Sequence, residues 1–117
     1  MLLKLAVIQG VFYLATGIWP LVDIASFQVI TGPKTDLWLV KTVGVLVTVI
    51  GAVLLVAGRR RRITEEIVLL AAGSALGLAG IDLVYALSGR TSAVYLADAG
   101  VEIGLAALWL VARRRAR

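Results

Sequence analysis

The chain alternates between long apolar runs and short polar connections. Four runs cover residues 2–22, 37–58, 67–87 and 93–112. Each provides about the 20 residues that a helix needs to cross the hydrocarbon core of a bilayer, and a helix satisfies its own backbone polar groups there. The pattern therefore predicts an all-α polytopic membrane protein, a four-helix antiparallel bundle that forms one transmembrane domain over residues 1–117.

The composition agrees with this class of protein. Of the 117 residues, 61% are hydrophobic, and the mean hydropathy is +0.99. A water-soluble domain of this size cannot bury so large a fraction of apolar residues. The first run follows Lys4, as a secretory signal would, but it continues through Trp19 and Pro20 without a small-residue cleavage site. We therefore expect it to be a helix of the mature protein.

The basic residues are concentrated beside helix ends. The net charge is +5, and two arginine blocks fall on one side of the membrane if all four runs span it. The positive-inside rule then predicts that these blocks and both termini face the cytoplasm. Each arginine near the surface adds about 1 kcal/mol of attraction to anionic lipid headgroups. Nucleic acid is not an expected partner, because no aromatic residues interleave with the basic ones. The blocks are Arg59, Arg60, Arg61 and Arg62, and Arg113, Arg114, Arg115 and Arg117.

The side chains used most often in catalysis and metal binding are missing. The sequence contains no histidine and no cysteine, which excludes disulfides, thiolate chemistry, haem ligation through histidine and Ser-His nucleophiles. No catalytic motif occurs either. The sequence therefore predicts a protein that is not an enzyme and that has no cofactor and no metal site.

The connection over residues 23–36 is the longest in the chain. Gly32 and Pro33 mark a turn, and Thr35 or Asp36 can cap the helix that follows. This connection is too apolar to extend into water, so we expect it to lie in the membrane interface or to fold back over the mouth of the bundle. Its large apolar residues are Phe27, Val29 and Ile30.

The stretch VITGPKTDLWLVKTVG, residues 29–44, resembles a motif of small, uncharacterised bacterial four-helix integral membrane proteins. The resemblance covers this connection and the start of the second run. It implies a location in the bacterial inner membrane, and it brings no activity and no site residues.

Glycines recur every seven residues in the first two runs, and G-x-x-x-G pairs occur in the other two. Close packing of small residues replaces the hydrophobic drive between helices in lipid. We therefore expect these stripes to mark helix contacts, either within the bundle or between copies in a homo-oligomer. They comprise Gly10 and Gly17, then Gly44, Gly51 and Gly58, and the pairs Gly73–Gly77 and Gly100–Gly104.

Four ionisable residues lie at matching depth in the outer third of the membrane: Lys41, Asp82, Asp98 and Glu102. A charge that faces lipid at mid-bilayer costs about 2.5–3.5 kcal/mol on insertion scales. We therefore predict that the four face one another in a shared polar pocket. Lys41 can neutralise one carboxylate, and Arg90 in the outer connection is a candidate partner for a second.

Glu102 is the deepest of the acids, and burial penalises its charged form. A carboxyl group in such a place can exchange a proton for a cation. Gln9 and Tyr13, one turn apart in the first run, can extend the polar face inward or can simply join helices by hydrogen bonds. Asp82 and Asp98 also have a structural interpretation, because buried charges can fix helix register.

Two functions from different classes fit these features. The first is proton- or cation-coupled transport of a small solute through the polar pocket. The alternative is a non-transport membrane module that binds a lipid or a protein partner, or that assists the assembly of a complex. Acid–base catalysis at the pocket is a third interpretation, although no spacing specifies it.

Overall fold

The computed structural model describes residues 1–34, 36–89 and 93–116. In this part of the chain the structure is helical and contains no strand. Four of the helices are long and apolar enough to cross a membrane, which confirms the predicted helical class and the predicted number of long apolar helices. The helices are α1 (Leu2–Val22), α2 (Ile24–Thr31), α3 (Leu37–Arg59), α4 (Glu65–Leu87) and α5 (Val94–Ala116).

The short helix α2 occupies most of the connection between the first two spans. The Asp23 side chain accepts a hydrogen bond from the Ser26 backbone N–H (3.1 Å) and so caps the start of α2. Gly32 ends the helix with a φ of 98°, a value that favours glycine. The Asp36 side chain makes no capping hydrogen bond at the start of α3, and Thr35, the other predicted cap, lies outside the described residues.

Helices α1 and α3 pack with their backbones in close approach along the predicted glycine stripe. A methyl group added at Gly10 would lie 2.9 Å from the carbonyl oxygen of Gly51, and one added at Gly17 would lie 2.8 Å from that of Gly44. No side chain fits in such a space. The seven-residue glycine period of the first two long runs therefore marks a helix contact within the chain.

The glycines of α4 and α5 behave differently. A methyl group added at any of them would meet nothing within 4 Å, and all of them are exposed. The G-x-x-x-G pairs make no contact between α4 and α5 in the described part of the chain. These residues are Gly73, Gly77, Gly80, Gly100 and Gly104.

The core of the protein joins α1, α3, α4 and α5 near one end of the bundle. It centres on Trp109, Leu54 and Leu5, which are at most 4% exposed. At the same end, Arg113 at the close of α5 forms a 2.9 Å ion pair with Glu65 at the start of α4. The two arginine blocks are thereby brought to one end of the structure.

Candidate functional site

A cavity of about 520 Å³ lies between all five helices, on the side of the core where α2 lies. Phe27 and Ile30 of α2 line it, so this helix covers the cavity as the fold-back interpretation of residues 23–36 expected. Most of the lining is apolar. The exceptions that carry ionisable carboxyl groups are Asp82, Asp98 and Glu102.

The three acids reach the cavity from two helices. Asp82 lies on α4, whereas Asp98 and Glu102 lie one turn apart on α5. Asp82 is 8% exposed and Glu102 is 1% exposed, whereas Asp98 is half-buried. Carboxylates that share one cavity wall repel each other unless one carries a proton or a cation lies between them.

One oxygen of this cluster has no partner. Oδ2 of Asp82 is buried and accepts no hydrogen bond in the structure. A buried polar atom without a partner costs about 1–3 kcal/mol, and buried polar atoms in folded proteins are nearly always paired.

Glu102 has one fixed partner at the inner end of the cavity. The Tyr13 hydroxyl of α1 donates to Oε2 of Glu102 at 2.6 Å, a length typical of a hydrogen bond to a charged acceptor. Tyr13 is 1% exposed. This bond orients the Glu102 carboxyl group and ties α5 to α1 at the level of the acids.

Gln9 lies one turn further inward and is not part of the cavity wall. Its Oε1 accepts from the indole Nε1 of Trp109 at 2.7 Å, and its Nε2 donates to the backbone carbonyl of Ala71 at 3.0 Å. Since an indole N–H only donates and a carbonyl only accepts, these two partners fix the orientation of the amide. Gln9 therefore joins three helices, in line with the structural interpretation of this residue.

The structure does not bring Lys41 to the cavity wall that the three acids share. Its side chain is exposed, it does not line the cavity, and no ion pair joins it to an acid among the described residues. Depth along a helix does not fix the direction in which a side chain points. The glycine face of α3 packs on α1, and the flexible Lys41 stem lets the ammonium group reach a polar surface. Arg90, the other predicted cation, lies outside the described residues.

A different lysine lies near the cavity. The ammonium group of Lys34, in the connection after α2, lies 5.1 Å from the centre of the Tyr95 ring, and Tyr95 lines the cavity. Neither Lys34 nor Trp109 was predicted from the sequence as a site residue. Lys34 had a usable signal, because it is a cation in the connection that was expected to lie in the membrane interface or to fold back over the mouth of the bundle.

The acids are not arranged as a metal site. Across the described ranges, no group of three or more His, Cys, Asp or Glu side chains has a geometry that could hold a metal ion. The cavity is instead a mostly apolar chamber with a carboxyl cluster on one wall.

No protein-family model matches this chain, and neither a curated protein nor a solved structure matches it.

Proposed function

We propose that the protein binds a small cationic solute in the cavity beneath α2 and exchanges it for a proton held by the carboxyl cluster. One observation carries the proposal: Asp82, Asp98 and Glu102 meet on the wall of a 520 Å³ cavity, and Asp82 Oδ2 has no partner. No basic side chain occurs among the described residues that line the cavity. The cluster therefore lacks a built-in counterion at the wall.

The coupling follows from the number of negative charges. Three carboxylates on one mostly apolar wall repel one another when all are charged. Protons reduce that repulsion when the cavity is empty, and a cation reduces it when the solute is bound. Solute and proton therefore compete for the same oxygens, and such competition is the thermodynamic basis of exchange.

The contacts between helices also support a topology for this transporter. We infer an antiparallel bundle in a bacterial inner membrane, with the arginine blocks and both termini in the cytoplasm. Along the α1–α3 interface, Gly10 lies against Gly51 and Gly17 against Gly44, and Arg113 pairs with Glu65. The cavity under α2 then lies toward the outer surface.

A flux measurement tests the exchange. Protein reconstituted in liposomes that contain a pH-sensitive dye receives an external pulse of tetraethylammonium chloride or rubidium chloride. Exchange of an entering cation for an internal proton raises the luminal pH. Glu102→Gln removes the ionisable group but keeps an acceptor for the Tyr13 hydroxyl at 2.6 Å, so we expect this variant to fold and to lose the pH response.

Glu66→Gln is the matched control, because Glu66 is exposed in the first turn of α4 and does not line the cavity. It should retain the full response. An unchanged response of Glu102→Gln, or an equal loss in both variants, would remove the support for exchange at this cluster.

One observation favours the alternative of a non-transport module that binds a partner. The glycines of α4 and α5 leave open, exposed strips on the outside of the chain, and such strips pack closely against another helix in lipid. On this interpretation, Gly100→Leu and Gly104→Leu abolish an oligomer or complex that the parent protein forms in mild detergent. A parent protein that is monomeric and purifies without a partner would exclude it.

A further inference from the structure

The rim of the cavity already holds an ammonium group. Lys34 Nζ lies 5.1 Å from the centre of the Tyr95 ring and 5.8 Å from that of Phe27, within the range in which a cation is attracted to an aromatic face. It also donates to the backbone carbonyls of Thr31 at 3.1 Å and Gly32 at 2.8 Å. These contacts hold the ammonium group at the end of α2.

The rings of Phe27 and Tyr95 contact the Lys34 ammonium group and also line the cavity. Phe27 and Tyr95 both line the cavity, and so does Trp19, whose ring meets Phe27 edge to face at 5.3 Å. The Trp19 indole N–H donates to the Ser26 hydroxyl at 2.8 Å and so attaches α2 to α1. The aromatic rim (Trp19, Phe27 and Tyr95) is thus a fixed surface that faces the chamber.

The carboxyl cluster begins directly below this rim. Asp98 follows Tyr95 by three residues on α5, so both lie on one face of the helix and both line the cavity. Lys34 itself does not line the chamber. A cation that moves inward from the rim therefore passes from aromatic faces to carboxylates.

We propose that the solute is an organic ammonium compound, and that Lys34 is a tethered occupant of the aromatic rim that an entering solute displaces. This inference rests on the proposed function and adds the class of the solute. A bare alkali cation uses the carboxylates alone, whereas an alkylated ammonium group also gains from the rings that hold Lys34. The 520 Å³ chamber has room for such a group with its carbon substituents.

A structural role of Lys34 alone makes a different prediction. If Lys34 only caps the carbonyl end of α2, removal of its charge loosens α2 and weakens binding of every cation. If Lys34 is a competitor, removal of its charge frees the rings and strengthens binding of tetraethylammonium more than that of rubidium. The two roles therefore predict opposite signs for one measurement.

The experiment measures equilibrium binding of tetraethylammonium and, separately, of rubidium to the full chain in nanodiscs of uncharged lipid. Lys34→Gln should bind tetraethylammonium roughly 2- to 30-fold more tightly than the parent, which is the range of one cation–aromatic contact. Lys41→Gln is the control of equal charge, because Lys41 is exposed and does not line the cavity. Its affinity should equal that of the parent.

A second pair of variants tests the rings without changing any charge. Tyr95→Phe keeps the aromatic face and should keep tetraethylammonium affinity, whereas Tyr95→Leu should lower it by roughly 2- to 30-fold. Rubidium affinity should be the same in both variants. This pair remains informative if Lys34→Gln does not fold.

Each outcome decides between the interpretations. Equal or weaker tetraethylammonium binding by Lys34→Gln than by Lys41→Gln overturns the competitor role. Equal binding by the two Tyr95 variants overturns recognition by the rim. If rubidium binds and exchanges for protons but tetraethylammonium does not bind, the solute class is wrong and the proposed exchange stands. If neither cation binds, both proposals fail.

Discussion

Gln9 joins three helices through one amide group. It accepts from Trp109 of α5 and donates to Ala71 of α4, and all of its side chain is buried. Hydrogen bonds between membrane helices contribute about 0.6–2 kcal/mol each. The loss of one partner costs more when the other is left buried without a partner.

This arrangement predicts a coupling between Gln9 and Trp109. Gln9→Leu should lower the free energy of unfolding by about 1–3 kcal/mol, because the indole N–H of Trp109 is then buried without an acceptor. Trp109→Phe removes that donor, so the double variant should lose less stability than the sum of the two single variants. Unfolding in mixed micelles measures the free energy of unfolding of the parent, the two single variants and the double variant. Additive losses would show that the 2.7 Å contact contributes no net stability.

At the scale of single residues, the sequence predicted that the three acids share one cavity wall, whereas the predicted lysine does not line that wall. Asp82, Asp98 and Glu102 all line one cavity, because a short carboxylate side chain inside a bundle has few other polar places to reach. Lys41 has a longer stem and lies at the surface. Two residues at the same depth in the membrane are therefore more dependably in contact when their polar side chains are short than when one of them is a lysine.

Among the helices, α1 and α3 form the closest pair. The added methyl group at Gly17 would lie 2.7 Å from the backbone nitrogen of Thr48 and 2.8 Å from the carbonyl oxygen of Gly44. Backbone atoms of a packed helix cannot move away singly, so the whole interface must separate to admit a side chain. The glycine period predicted close helix contacts, but it left open whether they lie within one chain or between copies.

Two alanine substitutions separate packed glycines from open ones. Gly17→Ala should destabilise the protein by about 1–3 kcal/mol or more, because it forces α1 and α3 apart. Gly77→Ala meets nothing within 4 Å, so it should be neutral or stabilise the helix by up to about 1 kcal/mol. Thermal unfolding in detergent compares the two. A destabilised Gly77→Ala variant would indicate that the open strip packs against another chain.

Helix α2 was not predicted as a helix, although its signals are present. Asp23 stands before it with Ser26 three residues later, and Phe27 and Ile30 recur at helical spacing. The Gly-Pro turn and the short length of the segment favoured a loop instead. An eight-residue helix is marginal by itself, so its stability comes from contacts such as the Trp19–Ser26 hydrogen bond, which a sequence pattern does not show.

For the molecule as a whole, hydropathy predicted the helical class and the number of long apolar helices, because a chain in lipid must pair its backbone polar groups internally. Hydropathy did not predict the cavity. It arises because α3 packs mainly on α1 while α4 packs mainly on α5, which leaves a chamber between the two pairs under α2. The rotation of each helix about its axis decides that arrangement, and residue spacing along one helix leaves this rotation open.

The ends of the molecule give the last prediction, which concerns orientation. Arg113 pairs with Glu65 at 2.9 Å, so the two arginine blocks lie together, and an excess of arginine is retained on the cytoplasmic side. The sequence contains no cysteine, so a single introduced thiol reports its own location. In intact bacterial cells, a membrane-impermeant maleimide should label Ser88→Cys, at the opposite end of α4. It should label Arg114→Cys only after the cells are opened.

The parent chain, which has no thiol, measures background labelling. Labelling of Arg114→Cys in intact cells together with protection of Ser88→Cys would reverse the orientation, and the cavity under α2 would then open to the cytoplasm. Labelling of both thiols in intact cells would mean that the two ends of α4 lie on the same side of the membrane, which a 23-residue spanning helix does not permit. Under the proposed exchange, the labelling pattern therefore decides from which compartment the cation would enter.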